Sequence, residues 1–253
     1  SFAIVVLLGL VVASYEQTIH AYPGGGGAYI VARDNLGEAP AAIAGSALLI
    51  DYILTVAVSI SSGVAQIVSA FPALLPFRVE VAIALVLLVM LINLRGLRES
   101  GTIFAIPTYF FVVMIVITAG IGLFRYATGT LGAVVDPPEM EVLGPASGLT
   151  LFLILRAFSS GTTALTGVEA IANGVPAFKE PRSKNAGITL LWMAGILGVL
   201  LVAITFLAVQ IGAVPSEAET VISQIARTAN GERGIIYLLT IAATTIILIM
   251  AAN

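Results

Sequence analysis

Two carboxylates set in apolar runs are the groups of this sequence best placed to do chemistry. Asp51 stands in SALLIDYILTVAVSISSGVAQIVS (46–69), and Glu169 stands in ALTGVEAIANG (164–174). In a helix surrounded by hydrocarbon, a carboxylate costs about 2.5 kcal/mol or more unless it is paired, hydrated or bound to a cation. Such a group is suited to holding a cation or carrying a proton. At about 100° per residue, Thr55, Ser59, Ser62, Gln66 and Ser69 fall within about 80° of Asp51 on one side, with Tyr52 at the margin. Small Ser and Thr residues also let helices pack closely and hydrogen-bond. Ser61, Ser62 and Ser69 are read that way, whereas Asp51, grouped with Tyr52, Thr55 and Ser59, is read as functional. Around Glu169, Thr166 and Asn173 share one side of the helix by the same spacing.

The composition fixes the solvent in which these side chains sit. Of 253 residues, 59% are hydrophobic and 10% charged, against about 25% charged in soluble domains, and the mean hydropathy is +1.08. Apolar runs of about 20 residues span a hydrocarbon core, and several of them exclude a lone signal peptide. The sequence therefore predicts an all-α integral membrane protein of about seven transmembrane helices. With no Cys and a single His, neither a disulfide framework nor a thiolate metal site is available. The net charge of −3 gives no sign of nucleic-acid binding.

In chain order, an apolar run from Phe2 opens inside a helix, and residues 14–40 read as a loop holding His20 and the glycines Gly24 to Gly27. The glycine run lacks a following Gly-Lys-Ser/Thr, so it is a tight reversal and not a phosphate loop. Spans are expected at about 41–69, 79–94, 103–124, 187–209 and 234–252. Between the third and fourth of these lies a discontinuous helix at about 149–175, interrupted at Ser159 to Thr163. Interrupted backbone at membrane depth must be buried in protein or line a cavity. Broken helices of this kind place carbonyls and helix ends at substrate sites near the bilayer midplane. Arg156, one turn earlier, either pairs with a carboxylate or reaches an interface. Thr240, Thr244 and Thr245 are read as packing residues.

Loop charge sets the orientation. One alternate set of loops holds Arg33, Arg95, Arg98, Lys179, Arg182 and Lys184; the other holds Arg78, Arg125, Arg227 and Arg233 together with most of the acids. The excess of basic residues places loops 14–40, 93–102 and 174–186 in the cytoplasm.

At these residues the chain resembles the amino acid/polyamine/organocation superfamily of secondary transporters. YPGGGGAYIVARDNLG is similar to that family's glycine-containing junction between its second and third helices, and AFSSGTTALTGVEAIANGVPAFKEPRSKN to its sixth helix and following loop. More narrowly, GGGAYIVARDNLG, LLIDYILTVAVSIS, NLRGLRES and ALTGVEAIANGVPAFKEP resemble the KimA-type potassium importers of the Kup family, often labelled amino acid permeases. The resemblance implies a LeuT-type fold of inverted repeats. This chain would supply helices two to eight as a single transporter domain, 1–253, truncated at both ends, without helix one or any regulatory domain. It also implies that Asp51, Tyr52, Thr55 and Ser59, with Thr166 and Glu169, match positions that handle cation and proton.

The expected activity is proton-coupled potassium uptake by alternating access, and the alternative is a proton-coupled amino acid permease of the same fold. Potassium takes several oxygen ligands, which Tyr52, Thr55, Ser59, Thr166 and broken-helix carbonyls would supply alongside Asp51. Glu169 or Asp51 would carry the proton. A neighbouring cation favours the ionised carboxylate and burial the protonated one, and that opposition couples the two cargoes. No resident cofactor is expected, only transported potassium and protons. The expected partners are the lipid bilayer and a small cation or amino acid, with a homodimer allowed. A retinal protein would need an intramembrane Lys, which is lacking, and a potassium channel a TVGYG-like filter. No paired nucleophile and base points to an enzyme.

Overall fold

The computed structural model describes residues 2–95, 101–139, 150–231 and 233–252. Within them the chain forms ten α-helices. They are α1 (Phe2–Ala21), α2 (Gly27–Leu36), α3 (Glu38–Ala70), α4 (Arg78–Leu94), α5 (Gly101–Ala127), α6 (Leu151–Gly161), α7 (Val168–Asn173), α8 (Arg182–Ile211), α9 (Val221–Asn230) and α10 (Ile235–Ala251). Five stretches are long and apolar enough to cross a membrane: Phe2–Ala21, Glu38–Ala70, Pro72–Leu94, Phe104–Ala127 and Arg182–Ile211. Leu151–Leu165 and Ile235–Ala251 are apolar but shorter. The predicted all-α membrane fold is the one observed. Arg98, most of the NLRGLRES motif and Glu141 lie outside the described residues.

The chain divides into two compact units. The first comprises Ser1–Tyr52 and Ala146–Val202. It packs Leu8, Val12 and Ile19 of α1 against Val168 and Ala172 of α7 and Leu190 of α8. The second comprises Ile53–Pro145 and Ala203–Asn253. Its α3 segment packs Ile60, Val64 and Val68 with Val89 of α4, while α5, α9 and α10 pack on one another. Helices α3 and α8 run through both units. Most other large apolar side chains, such as Ile53, Val86, Leu151 and Val199, are exposed, as expected of surfaces that meet lipid.

Two expectations needed correction. Residues 14–40 are helical over most of their length, because the polar tail of α1 is held by local bonds. Thr18 Oγ1 donates to Ser14 O at 3.0 Å, and His20 Nδ1 lies 3.2 Å from Glu16 Oε1 one turn away. The reversal is confined to the stretch after Ala21, where Gly25 N–H donates to Tyr22 O at 2.9 Å. The helix break expected at Ser159 to Thr163 begins later. Ser159, Ser160 and Gly161 are still helical, and a 3-10 turn follows at Thr162–Leu165. Gly161 marks a close approach to α1, since a Cβ there would collide with Ile4 Cδ1.

Helix α9 had no counterpart in the sequence reading. Its signals were present in Thr220, whose Oγ1 accepts from Ser223 N–H at 3.2 Å, and in Gly231 after its last turn. Thr220 also donates to Gln66 Oε1 at 3.0 Å, and its N–H donates to Ser69 Oγ at 2.9 Å. The C-terminal half of the α3 stripe thus fastens α9. Ser69, expected to be a packing residue, does that work while fully buried. Thr240 and Thr118 join hydroxyls at 2.8 Å, and Thr244 Oγ1 donates to Thr240 O, in keeping with their packing role.

Candidate functional site

Glu169 is positioned by the break itself. After the 3-10 turn, Thr166 is extended and Gly167 is left-handed with φ 95°, a conformation glycine adopts without steric cost. The chain then re-enters helix at Val168 with a changed direction of side chains. Gly167 N–H faces both oxygens of Glu169, at 3.3 and 3.2 Å. One backbone donor satisfies part of the carboxylate and fixes it beside the break, where the side chain is half-buried. Thr166, one residue before the turn, is exposed.

Asp51 and Tyr52 come from α3 and meet the same place within the first unit. Tyr15 of α1, half-buried, lies within electrostatic reach of Glu169, Tyr52 and Asp51 together. Asn173, at the end of α7, donates from Nδ2 to Tyr52 Oη at 2.6 Å. The first unit therefore assembles two carboxylates and two phenolic oxygens from three helices. An Asn amide already holds one of those phenols.

Asn173 also explains the glycine run. Gly26 N–H donates to Asn173 O at 3.3 Å. A Cβ on Gly27 would collide with Asn173 Oδ1, and one on Gly25 would lie 2.6 Å from Asn173 O and 2.8 Å from Pro176 Cδ. All three glycines have positive φ. The run lets the turn between α1 and α2 lie directly on the end of α7, against Asn173.

Thr55 and Ser59 lie on the part of α3 that belongs to the second unit. Thr55 is half-buried and Ser59 is 7% exposed. Arg156 is exposed and makes no ion pair among the described residues. The structure thus groups Asp51, Tyr52 and Glu169 and places Thr166 at the break. Tyr15 and Asn173 were missed as site residues. Asn173's place on the Glu169 side of its helix was the signal for it, while Tyr15 carried none beyond its position at the start of a polar helix tail. Among the described residues, no group of three or more His, Asp or Glu could hold a metal ion.

Apolar helices long enough to cross a bilayer, one of them interrupted beside polar side chains, define a multi-pass membrane protein. Comparison with known families places the chain among such proteins. The chain belongs to the amino acid permease family, whose model matches residues 1–253. It is 51% identical over 251 residues to a protein named potassium transporter KimA from Bacillus subtilis (strain 168). The match covers 99% of this chain and 41% of that protein, so the chain spans less than half the length of the relative.

Proposed function

We propose that this chain forms part of a secondary active transporter that takes up potassium, coupled to protons, by alternating access. The observation that carries the reading is the 51% identity, over nearly the whole chain, to a protein named as a potassium transporter. The grouping of Asp51, Tyr52 and Glu169 supplies the chemistry that the reading needs. Within the first unit, Asp51 and the hydroxyls of Tyr52 and Thr166 are the cation ligands. Glu169, anchored on Gly167 N–H, is the proton carrier. Burial favours the protonated carboxyl, so Glu169 takes up a proton on the outside, holds it while the cation is bound beside Asp51, and releases it where the site opens to cytoplasmic water, which is the coupling step. The chain is read as a transporter and not an enzyme, and a homodimer in the bilayer is part of the same proposal.

The test is uptake of rubidium into proteoliposomes driven by an imposed proton gradient. Glu169→Gln is expected to abolish uphill accumulation while rubidium exchange at equilibrium persists. Uphill, proton-driven uptake by that variant would exclude Glu169 as the carrier. A second reading, an amino acid permease, is favoured by the description of the matching family. It predicts that amino acids in the assay displace rubidium, whereas a potassium transporter is indifferent to them.

A further inference from the structure

Three guanidinium groups of the second unit line one cavity. The cavity, about 520 Å³, is lined by Arg125 at the end of α5, by Arg227 and Thr228 of α9, and by Arg233 just before α10. Arg125 is half-buried and bonds to backbone carbonyls: Nη1 donates to those of Thr228 at 3.0 Å and Ala229 at 2.9 Å, and Nη2 to Thr130 O at 2.9 Å. Arg227, 15% exposed, donates from Nε to the two oxygens of Glu219 at 2.9 and 3.2 Å. Its remaining bonds go to the carbonyls of Val135 and Asp136. Arg233 stands 3.8 Å from that same Glu219, too far for a hydrogen bond, and rests over the ring of Tyr237 at 5.8 Å.

Glu219 is thus the one side-chain carboxylate shown against these cations among the described residues, and it is itself 7% exposed. Among the described residues, three guanidinium groups thus stand against that one carboxylate. Arg125 and Arg227 are fixed in place by their carbonyl contacts, so their remaining N–H groups are held ready for a ligand at little entropic cost. A hydrated point charge such as Lys would not do this; the planar fork of Arg matches the paired oxygens of phosphate and carboxylate. Thr228 lines the same cavity, and its Oγ1 has no partner among the described residues.

We propose that this cavity binds a phosphate-type oxyanion through Arg125, Arg227 and Arg233. The phosphate is either free in solution or part of a phospholipid headgroup, since the end of a membrane-spanning helix lies at headgroup depth.

The test uses the purified intact protein in detergent, with thermal unfolding as the readout. Inorganic phosphate is titrated against chloride at matched ionic strength. In a parallel arm, dioctanoyl phosphatidylglycerol is titrated against dioctanoylglycerol, which lacks the phosphate. Wild-type protein is expected to show a saturable rise in Tm with phosphate, with the phosphatidylglycerol, or with both, and the responding arm identifies the source. Arg233→Gln removes the guanidinium least engaged in the fold, and the midpoint concentration is expected to rise about tenfold or more, the effect of losing one charge-assisted contact. Arg233→Lys keeps the charge without the fork and is expected to fall in between; it carries the test should the Gln variant not fold. A flat response in both arms, an equal response to chloride or to dioctanoylglycerol, or unchanged midpoints in the variants would overturn the proposal.

Discussion

At the scale of single residues, the feature that most constrains the candidate site is the bond from Asn173 to Tyr52. The amide occupies one lone pair of the phenol, so the Tyr52 O–H is free to donate while its capacity as a cation ligand is reduced. If the two residues act as one unit, their substitutions will not add. We expect Tyr52→Phe and Asn173→Ala each to lower rubidium uptake, with the double variant no worse than the poorer single one. The coupling would be about 1 kcal/mol, within the range for residues in direct contact. Fully additive losses across the cycle would show that the bond has no part in transport. Asn173 lies on the side of its helix that also carries Glu169, and that much is legible from spacing. Its choice of Tyr52 as partner is not, because no local pattern couples two residues on separate helices.

At the scale of elements, the glycine turn and the helix break are one construction. The turn between α1 and α2 can lie on the end of α7 only because Gly25 and Gly27 lack a Cβ. Gly27→Ala places a methyl group where Asn173 Oδ1 now sits, and it also strains a residue at φ +45°. We predict that this variant reproduces the uptake defect of Asn173→Ala while Gly24→Ala, with open space around its Cβ position, transports like wild type. Equal behaviour of the two alanine variants would sink this role for the turn. The glycines were recognisable in the sequence as a reversal, yet the reason for so many of them lay in a contact with a distant helix. The break shows the same division. Its existence was visible as Ser, Gly and Thr inside an apolar run, but its position was misjudged because Ser159 to Gly161 continue the helix. Gly167, whose φ is positive, makes the actual turn.

At the scale of the whole molecule, orientation in the bilayer follows from loop charge and is open to direct measurement. The sequence contains no Cys, so a single introduced thiol reports its own side. We expect Lys179→Cys in intact cells to resist a membrane-impermeant thiol reagent and Arg78→Cys to react with it, since the basic loops face the cytoplasm. The reverse pattern would invert the assignment. Arg78 is half-exposed and pairs with Glu217 at 2.6 Å, an exposed ion pair whose loss costs about 1 kcal/mol or less, so the substitution leaves the fold intact.

The sequence by itself determined the solvent, the helical class, the stripe on α3, the two intramembrane carboxylates and the presence of an interrupted helix. Each of these follows from hydropathy and from a period of 3.6 residues, which are properties of neighbouring residues and sum along the chain. Tertiary structure decided where the helix breaks, that Asn173 joins Tyr52 to the glycine turn, that Tyr15 comes within electrostatic reach of both carboxylates, and that Gln66 and Ser69 serve α9. It also decided that three arginines from separate elements share one cavity. These depend on which backbones approach within a few ångströms of each other, and that is set by packing among distant segments.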